Sequence, residues 1–185
     1  MRIIKILFLI FFVYSCTNAK SGIEKNTYTN SEEKYTEAQV LHSKGLAEAR
    51  NQNFQSALPL LLKADSLNPK HIKNVTSIGA IYKHLGKFEL AIQYYNRGLK
   101  LDPLSYSLHG DIGDCYLKLG NEEKAIQEFS TLIKLDPTQY QGTFLLGQIY
   151  AKQKLYEKAK AYFTQTKLII KNLNYFFHSK EQEAN

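Results

Sequence analysis

The chain has 185 residues, 44% of them hydrophobic and 22% charged, with a formal net charge of +7. It is too apolar for a disordered chain and long enough for one domain with extended ends. Its basicity is mild and lacks the dense Arg and Lys clusters of a nucleic-acid footprint, so no nucleic-acid partner is expected.

Residues 1–15 read as a leader. Arg2 and Lys5 make a basic start, Ile6 to Tyr14 is an uninterrupted apolar run of nine residues, and Ser15 precedes Cys16. This is the tripartite order of a secretory signal. The run is well short of the roughly 20 apolar residues needed to span a bilayer, which argues against a permanent transmembrane helix. Val13-Tyr14-Ser15-Cys16 resembles the lipobox of bacterial lipoproteins, with Tyr14 as a departure because small residues are usual there. The resemblance implies lipidation of Cys16 and a membrane anchor in the bacterial cell envelope. Thr17 lacks the acidic residue of an inner-membrane retention signal, which points to the outer membrane facing the periplasm. The alternative is an ordinary cleaved leader followed by a free thiol. Loss of Arg2 and Lys5 with the leader would lower the net charge by two. Residues 16–30 are polar, rich in Ser, Thr, Asn and Lys, and read as a flexible tether.

From residue 31 onward the chain repeats with a period of 34. Gly45, Gly79, Gly113 and Gly147 are in register, as are Ala57, Ala91, Ala125 and Ala159, and Pro recurs at 69, 103 and 137. Such a period is the mark of a stacked-repeat architecture, in which one supersecondary unit cannot bury its apolar face alone. The expected fold is therefore all-α, a solenoid of about four antiparallel helix pairs over residues 31–173, with repeats at 38–71, 72–105, 106–139 and 140–173.

Ser31 with Glu32 and Glu33 reads as a helix start. The first repeat places Phe54, Ala57, Leu58, Leu61, Leu62 and Ala64 on one helical face, and Pro59 predicts a slight bend near that helix's first turns. In the second and third repeats, Gly86 and Gly120 fall where the first helix should stop. The mid-helix glycines Gly79, Gly113 and Gly147 predict close approach of the paired helix, because Gly there costs about 1 kcal/mol against Ala. Ala91 and Ala125 are small enough to let the paired helix pack against those glycines, with Tyr and Phe expected to fill the space between repeats. After Lys171, the segment Asn172 to His178 with Leu173, Tyr175, Phe176 and Phe177 either continues the last helix or caps the open end, and Glu181 to Asn185 is expected to fray.

Ile78-Gly79-x-x-Tyr82, Leu85-Gly86, Ala91, Tyr95 and Pro103, together with their copies, resemble the tetratricopeptide repeat. The departures are Leu41, Val75, His109 and Thr143 at the large first position, Lys44 and Glu48 in the first repeat, and no closing Pro in the fourth. The resemblance implies that the first helices line a concave groove receiving a peptide or helix of another protein. The lysine, asparagine and arginine clamp of chaperone-tail binders is absent, since the corresponding places hold residues such as His42, Leu46, Ser77, Ser107 and Asp111.

The search for chemistry is negative. His42, His71, His84, His109 and His178 show no metal-ligand spacing, and Cys115 reads as a buried, inert thiol. No phosphate-cradling loop, nucleophile elbow or triad appears. No enzyme activity, cofactor, metal or small-molecule substrate is expected. The candidate groove residues are His42, Arg50, Lys73, Lys83, His84, Lys118, Gln148 and Lys152. Arg50, Lys83 with His84, Lys118 and Lys152 place a cation at the end of each first helix. This ladder suits an acidic partner segment, although such cations also complement the helix dipole. The function expected is a membrane-anchored interaction module, scaffold or assembly factor. A permanent accessory subunit of an envelope complex and a cell-wall or glycan-associated protein are the alternatives.

Overall fold

The computed structural model describes residues 32–183, with side chains through Tyr175. The expected leader, Cys16, the tether and Ser31 lie outside the described residues, as do the side chains of Phe176 and Phe177. Among the described residues all regular structure is helical, and no helix is long and apolar enough to cross a membrane.

The chain divides into two compact units, the first reaching Pro69 and the second starting at Lys70. The first unit is a helical hairpin of α1, residues 32–50, and α2, Phe54–Leu67. Helix α1 therefore begins ahead of the expected repeat boundary at residue 38. Pro59 sits inside α2 without breaking it, because the lost amide donor falls near the first turns. A Cβ added to Gly45 would lie 2.7 Å from Leu61 Cγ, so the two helices meet at that point.

The second unit stacks three hairpins in chain order. They are α3, Ile72–His84, with α4, Phe88–Leu101; α5, Tyr106–Lys118, with α6, Glu122–Leu135; and α7, Tyr140–Lys152, with α8, Tyr156–Glu183. Each helix packs on the next. Helix α8 continues without interruption past Lys171, and Glu181 to Glu183, expected to fray, are still helical.

The periodic glycines receive a ring. A Cβ on Gly79 would stand 2.7 Å from Tyr95 Cε1, on Gly113 2.6 Å from Phe129 Cε1, and on Gly147 2.6 Å from Phe163 Cε1. The paired helix approaches each glycine as expected, and the side chain that meets the added Cβ stands four residues after the periodic alanine. Ala57, Ala91 and Ala125 are fully buried. Tyr95 and Phe129 also reach between repeats, as expected. Tyr95 joins Ala91 and Ile92 in a core with Leu108, Ile112 and Cys115 of α5, and Phe129 joins Ala125, Leu146 and Ile149.

The polar departures at the large first position are satisfied locally. His109 Nδ1 lies 2.7 Å from Glu128 Oε2 on α6. The hydroxyl oxygens of Thr143 on α7 and Thr166 on α8 are 2.8 Å apart, and both residues are buried. A polar residue is tolerated at these positions because the second helix supplies a partner, which removes the penalty of an unpaired buried group.

Every first helix ends in the same backbone motif. Gly86 and Gly120 take φ of 72° and 75°, and Gln52 and Lys154, at the same step of the period, take 62°. The following amide donates to the carbonyl five residues back in all four, from Asn53 to Glu48, Lys87 to Tyr82, Asn121 to Tyr116 and Leu155 to Tyr150, at 2.8–2.9 Å. This is the Schellman closure. The second helices end differently. Asn68, Asp102 and Asp136 are driven to extended ψ of 79–92°, as the proline after each demands. The Asp136 carboxylate accepts from the Thr138 amide and hydroxyl, which holds its pKa below the usual aspartate range.

A left-handed conformation costs a non-glycine residue about 1–2 kcal/mol. Lys154→Gly and Gln52→Gly are therefore expected to stabilise the chain, and Gly86→Ala to destabilise it, each by about 1 kcal/mol. Urea denaturation followed by circular dichroism measures this; equal stability across the three variants would refute it.

Candidate partner-binding groove

The second unit leaves the faces of its first helices open. Between α5 and α7 lies a groove of about 320 Å³. Helix α5 supplies Tyr106, Ser107, Gly110, Asp111 and Asp114, helix α7 supplies Gln141 and Leu145, and Leu132 and Gln139 complete the lining. The stripe 106, 110, 114 follows the i, i+4, i+8 spacing of one helical face. Two glycines let Leu132 approach the first helices, and one of them, Gly110, lines the groove. A Cβ on Gly110 would lie 2.9 Å from Leu132 Cδ1 and one on Gly142 2.8 Å from Leu132 Cδ2. Leu132 thus wedges against both first helices and lies in contact with the groove.

The charged lining residues are carboxylates. Lys83 of α3 crosses to α5, where its ammonium donates to Asp111 and lies 3.7 Å from Asp114. Burial opposes the Lys83 charge, but the hydrogen bond and charge of Asp111 outweigh it and the pKa rises. Asp114 is raised by burial and by the neighbouring Asp111 carboxylate, against the pull of Lys83. Burial pushes the Cys115 thiol up to about 11, which makes it inert, and pushes the Tyr95 phenol above its ordinary value. Between the third and fourth repeats, Glu122 accepts from Lys152 Nζ at 2.6 Å and from Gln153 Nε2 at 2.9 Å.

These pairs break the continuity of the expected cationic ladder. Lys83 is half-buried between Asp111 and Asp114, and Lys152 is engaged by Glu122. Arg50, Lys73, His84, Lys118 and Gln148 are exposed, whereas His42 is buried. None of these eight candidates lines the groove between α5 and α7. Most of them are cations in the last turn of a first helix, while the lining follows a stripe along the helix that is mostly uncharged. The 34-residue register could have found it, because Ser107 and Gln141 occupy the same step of adjacent repeats.

The hairpins and the open first-helix face define a repeat protein built to hold another chain. Models of the tetratricopeptide repeat match residues 76–103, 106–139 and 142–165. The chain is a tetratricopeptide repeat protein, of the class that serves as protein–protein interaction scaffolds. Its backbone is similar to a crystal structure of MamA, with a TM-score of 0.71 and 18% identity over 74% of this chain and 80% of that one. It is also similar to MamA 41-end from Desulfovibrio magneticus RS-1, with a TM-score of 0.69 and 21% identity over 73% and 76%. At those identities the likeness shows the fold. No curated protein matches the chain.

The two aspartates are expected to respond oppositely. The raised Lys83 pKa marks stability that is fully present below the ordinary lysine value and lost as pH rises through the folded one. Asp111→Asn should therefore lower stability at pH 7 by about 1 kcal/mol, the size of a partly exposed charged hydrogen bond. The raised Asp114 pKa marks stability present below the ordinary aspartate value and lost as pH rises through its raised value. Asp114→Asn should therefore raise Tm at pH 7 and have less effect near pH 3. Thermal melts across this range decide; an Asp114→Asn variant less stable than the parent at pH 7 would contradict the assignment.

Proposed function

We propose that the chain is a membrane-tethered interaction module, which acts by binding and not by catalysis, and that a peptide or helix of a partner protein lies in the groove between α5 and α7. The observation that carries this reading is the groove itself, an open channel lined by successive first helices with a hydrophobic floor at Leu132 and hydrogen-bonding groups on both walls. Apolar contact with Leu132 and Leu145 would give affinity, and Ser107, Gln141 and the carboxylates would orient the occupant. Asp111 and Asp114 suit a cationic or amide group on the bound segment, while exposed Lys118 and the outer edge at Lys152 would meet acidic flanks. The leader supports the tether. A cleaved signal over residues 1–15 followed by acylated Cys16 would fix the array to the bacterial envelope, with the outer membrane favoured by Thr17. Each buried methylene of an acyl chain adds about 0.8 kcal/mol, so two or more chains hold stably.

The partner is obtained by capture from detergent-solubilised membranes. Ser107→Arg with Gln141→Arg should then weaken the captured complex at least tenfold by filling the groove, because both residues line it and neither belongs to the Lys83 ion pair. Unchanged affinity would count against the groove. Lys118→Glu with Lys152→Glu tests the flanks, with weaker binding at low salt expected for acidic ones.

The anchor is tested by metabolic labelling with a fatty acid. Label should appear on the parent chain and vanish in Cys16→Ala; label retained in that variant would refute lipidation at Cys16.

A further inference from the structure

A second surface lies at the outer face of the last hairpin, separate from the groove between α5 and α7 and independent of how that groove is read. Within the stack, the face of each second helix is covered by the first helix that follows. Leu108, Ile112 and Cys115 of α5 cover Ala91 and Tyr95, and Leu146 and Ile149 of α7 cover Ala125 and Phe129. Ala159 and Phe163 of α8 stand one period further on, and among the described residues no helix follows α8. The consequence is visible in exposure. Tyr95 and Phe129 are 1% and 0% exposed, whereas Phe163 is 37% and Tyr156 beside it is 66% exposed.

This face is concave. Ala151, Tyr156, Ala159 and Phe163 line a depression of about 430 Å³ together with Lys160, Thr164 and Lys167. Ala159 and Phe163 hold the steps of the period that α5 and α7 cover on the earlier second helices, so continuity with those interfaces specifies a helix as the occupant. The covering pattern of α5 sets its spacing, apolar at i, i+4 and i+7. The charged groups of the lining are both lysines, in contrast to the carboxylates of the other groove, so the occupant's flanks should be acidic.

We propose that the α7–α8 face binds an amphipathic helix of a different protein, apolar at i, i+4 and i+7 and acidic at its flanks, as the next first helix of the array. A second copy of this chain is the wrong occupant. The residue of its first helix that corresponds to Ile78, Ile112 and Leu146 is Lys44, which is exposed. Head-to-tail stacking would bury that ammonium against Ala159 and Phe163, and an unpaired buried charge is strongly disfavoured. Lys44 thus blocks the open-ended polymer that a heterologous repeat interface would otherwise allow.

The probe is a fluorescein-labelled synthetic helix of about 20 residues, long enough to hold helical structure in water, with Leu, Ile and Ala at i, i+4 and i+7 and glutamates on its flanks. Anisotropy titration of the full chain should show saturable binding. Tyr156→Ser, and separately Lys160→Glu with Lys167→Glu, should each weaken it at least tenfold. The lysine-reversed chain should regain binding to a peptide with lysine flanks, which shows that the variant is folded. In a chain carrying Ser107→Arg with Gln141→Arg the α8 variants should still cause the same loss, so failure of the other groove is distinguishable from failure here. No binding by the parent chain, or binding indifferent to the α8 variants, would overturn the proposal. Concentration-dependent self-association abolished by Tyr156→Ser in sedimentation would also overturn it, by making a second copy the occupant.

Discussion

The structure depends on an aromatic ring seated on a glycine. At Gly79, Gly113 and Gly147 the first helix has no side chain, and Tyr95, Phe129 or Phe163 of the second helix occupies the space a Cβ would need. The mid-helix glycine costs about 1 kcal/mol of helix propensity, and the buried ring more than offsets it, since truncating such a ring costs about 3–5 kcal/mol. Because the ring of Tyr95 or Phe129 also touches the following first helix, one contact sets the hairpin angle and the stacking of the next repeat together. The Gly45 site of the first unit uses Leu61 for the same purpose.

What lies outside this contact is freer to vary. The large first position accepts His109 and Thr143 because Glu128 and Thr166 stand opposite. The helix stop accepts Gln52 and Lys154 where glycine would be less strained, because the Schellman hydrogen bonds close over them in the same way. Ion pairs then join neighbouring repeats at their edges, Lys83 to Asp111 and Lys152 to Glu122. Lys83 is thereby drawn into structure, whereas Lys152 stays exposed beside its partner. A charge placed at a repeat boundary meets the next repeat before it meets a partner.

The two surfaces differ because their positions in the stack differ. The groove between α5 and α7 is a side wall, so its chemistry is carried by a stripe that no repeat has to bury, and Ser107, Asp111, Asp114 and Gln141 are free to be polar. Among the described residues no helix follows α8, and its face keeps apolar residues at the steps that α4 and α6 use for stacking. Lys44 of α1 breaks that pattern at the step held by Ile78, Ile112 and Leu146.

By itself the sequence determined the class of fold, the order of the helix pairs and the stops at Gly86 and Gly120, because the period repeats one local unit and a left-handed glycine acts within a single turn. It also marked Cys115 as a buried thiol and the first position as irregular. Only the tertiary structure decided which ring meets each mid-helix glycine, that Lys83 and Lys152 are paired, and that the groove runs along Tyr106, Gly110 and Asp114. Those facts depend on which side chain of one helix reaches which neighbouring helix. Distances of that kind are set by packing between segments some 15 to 30 residues apart, and spacing within a single helix does not carry them.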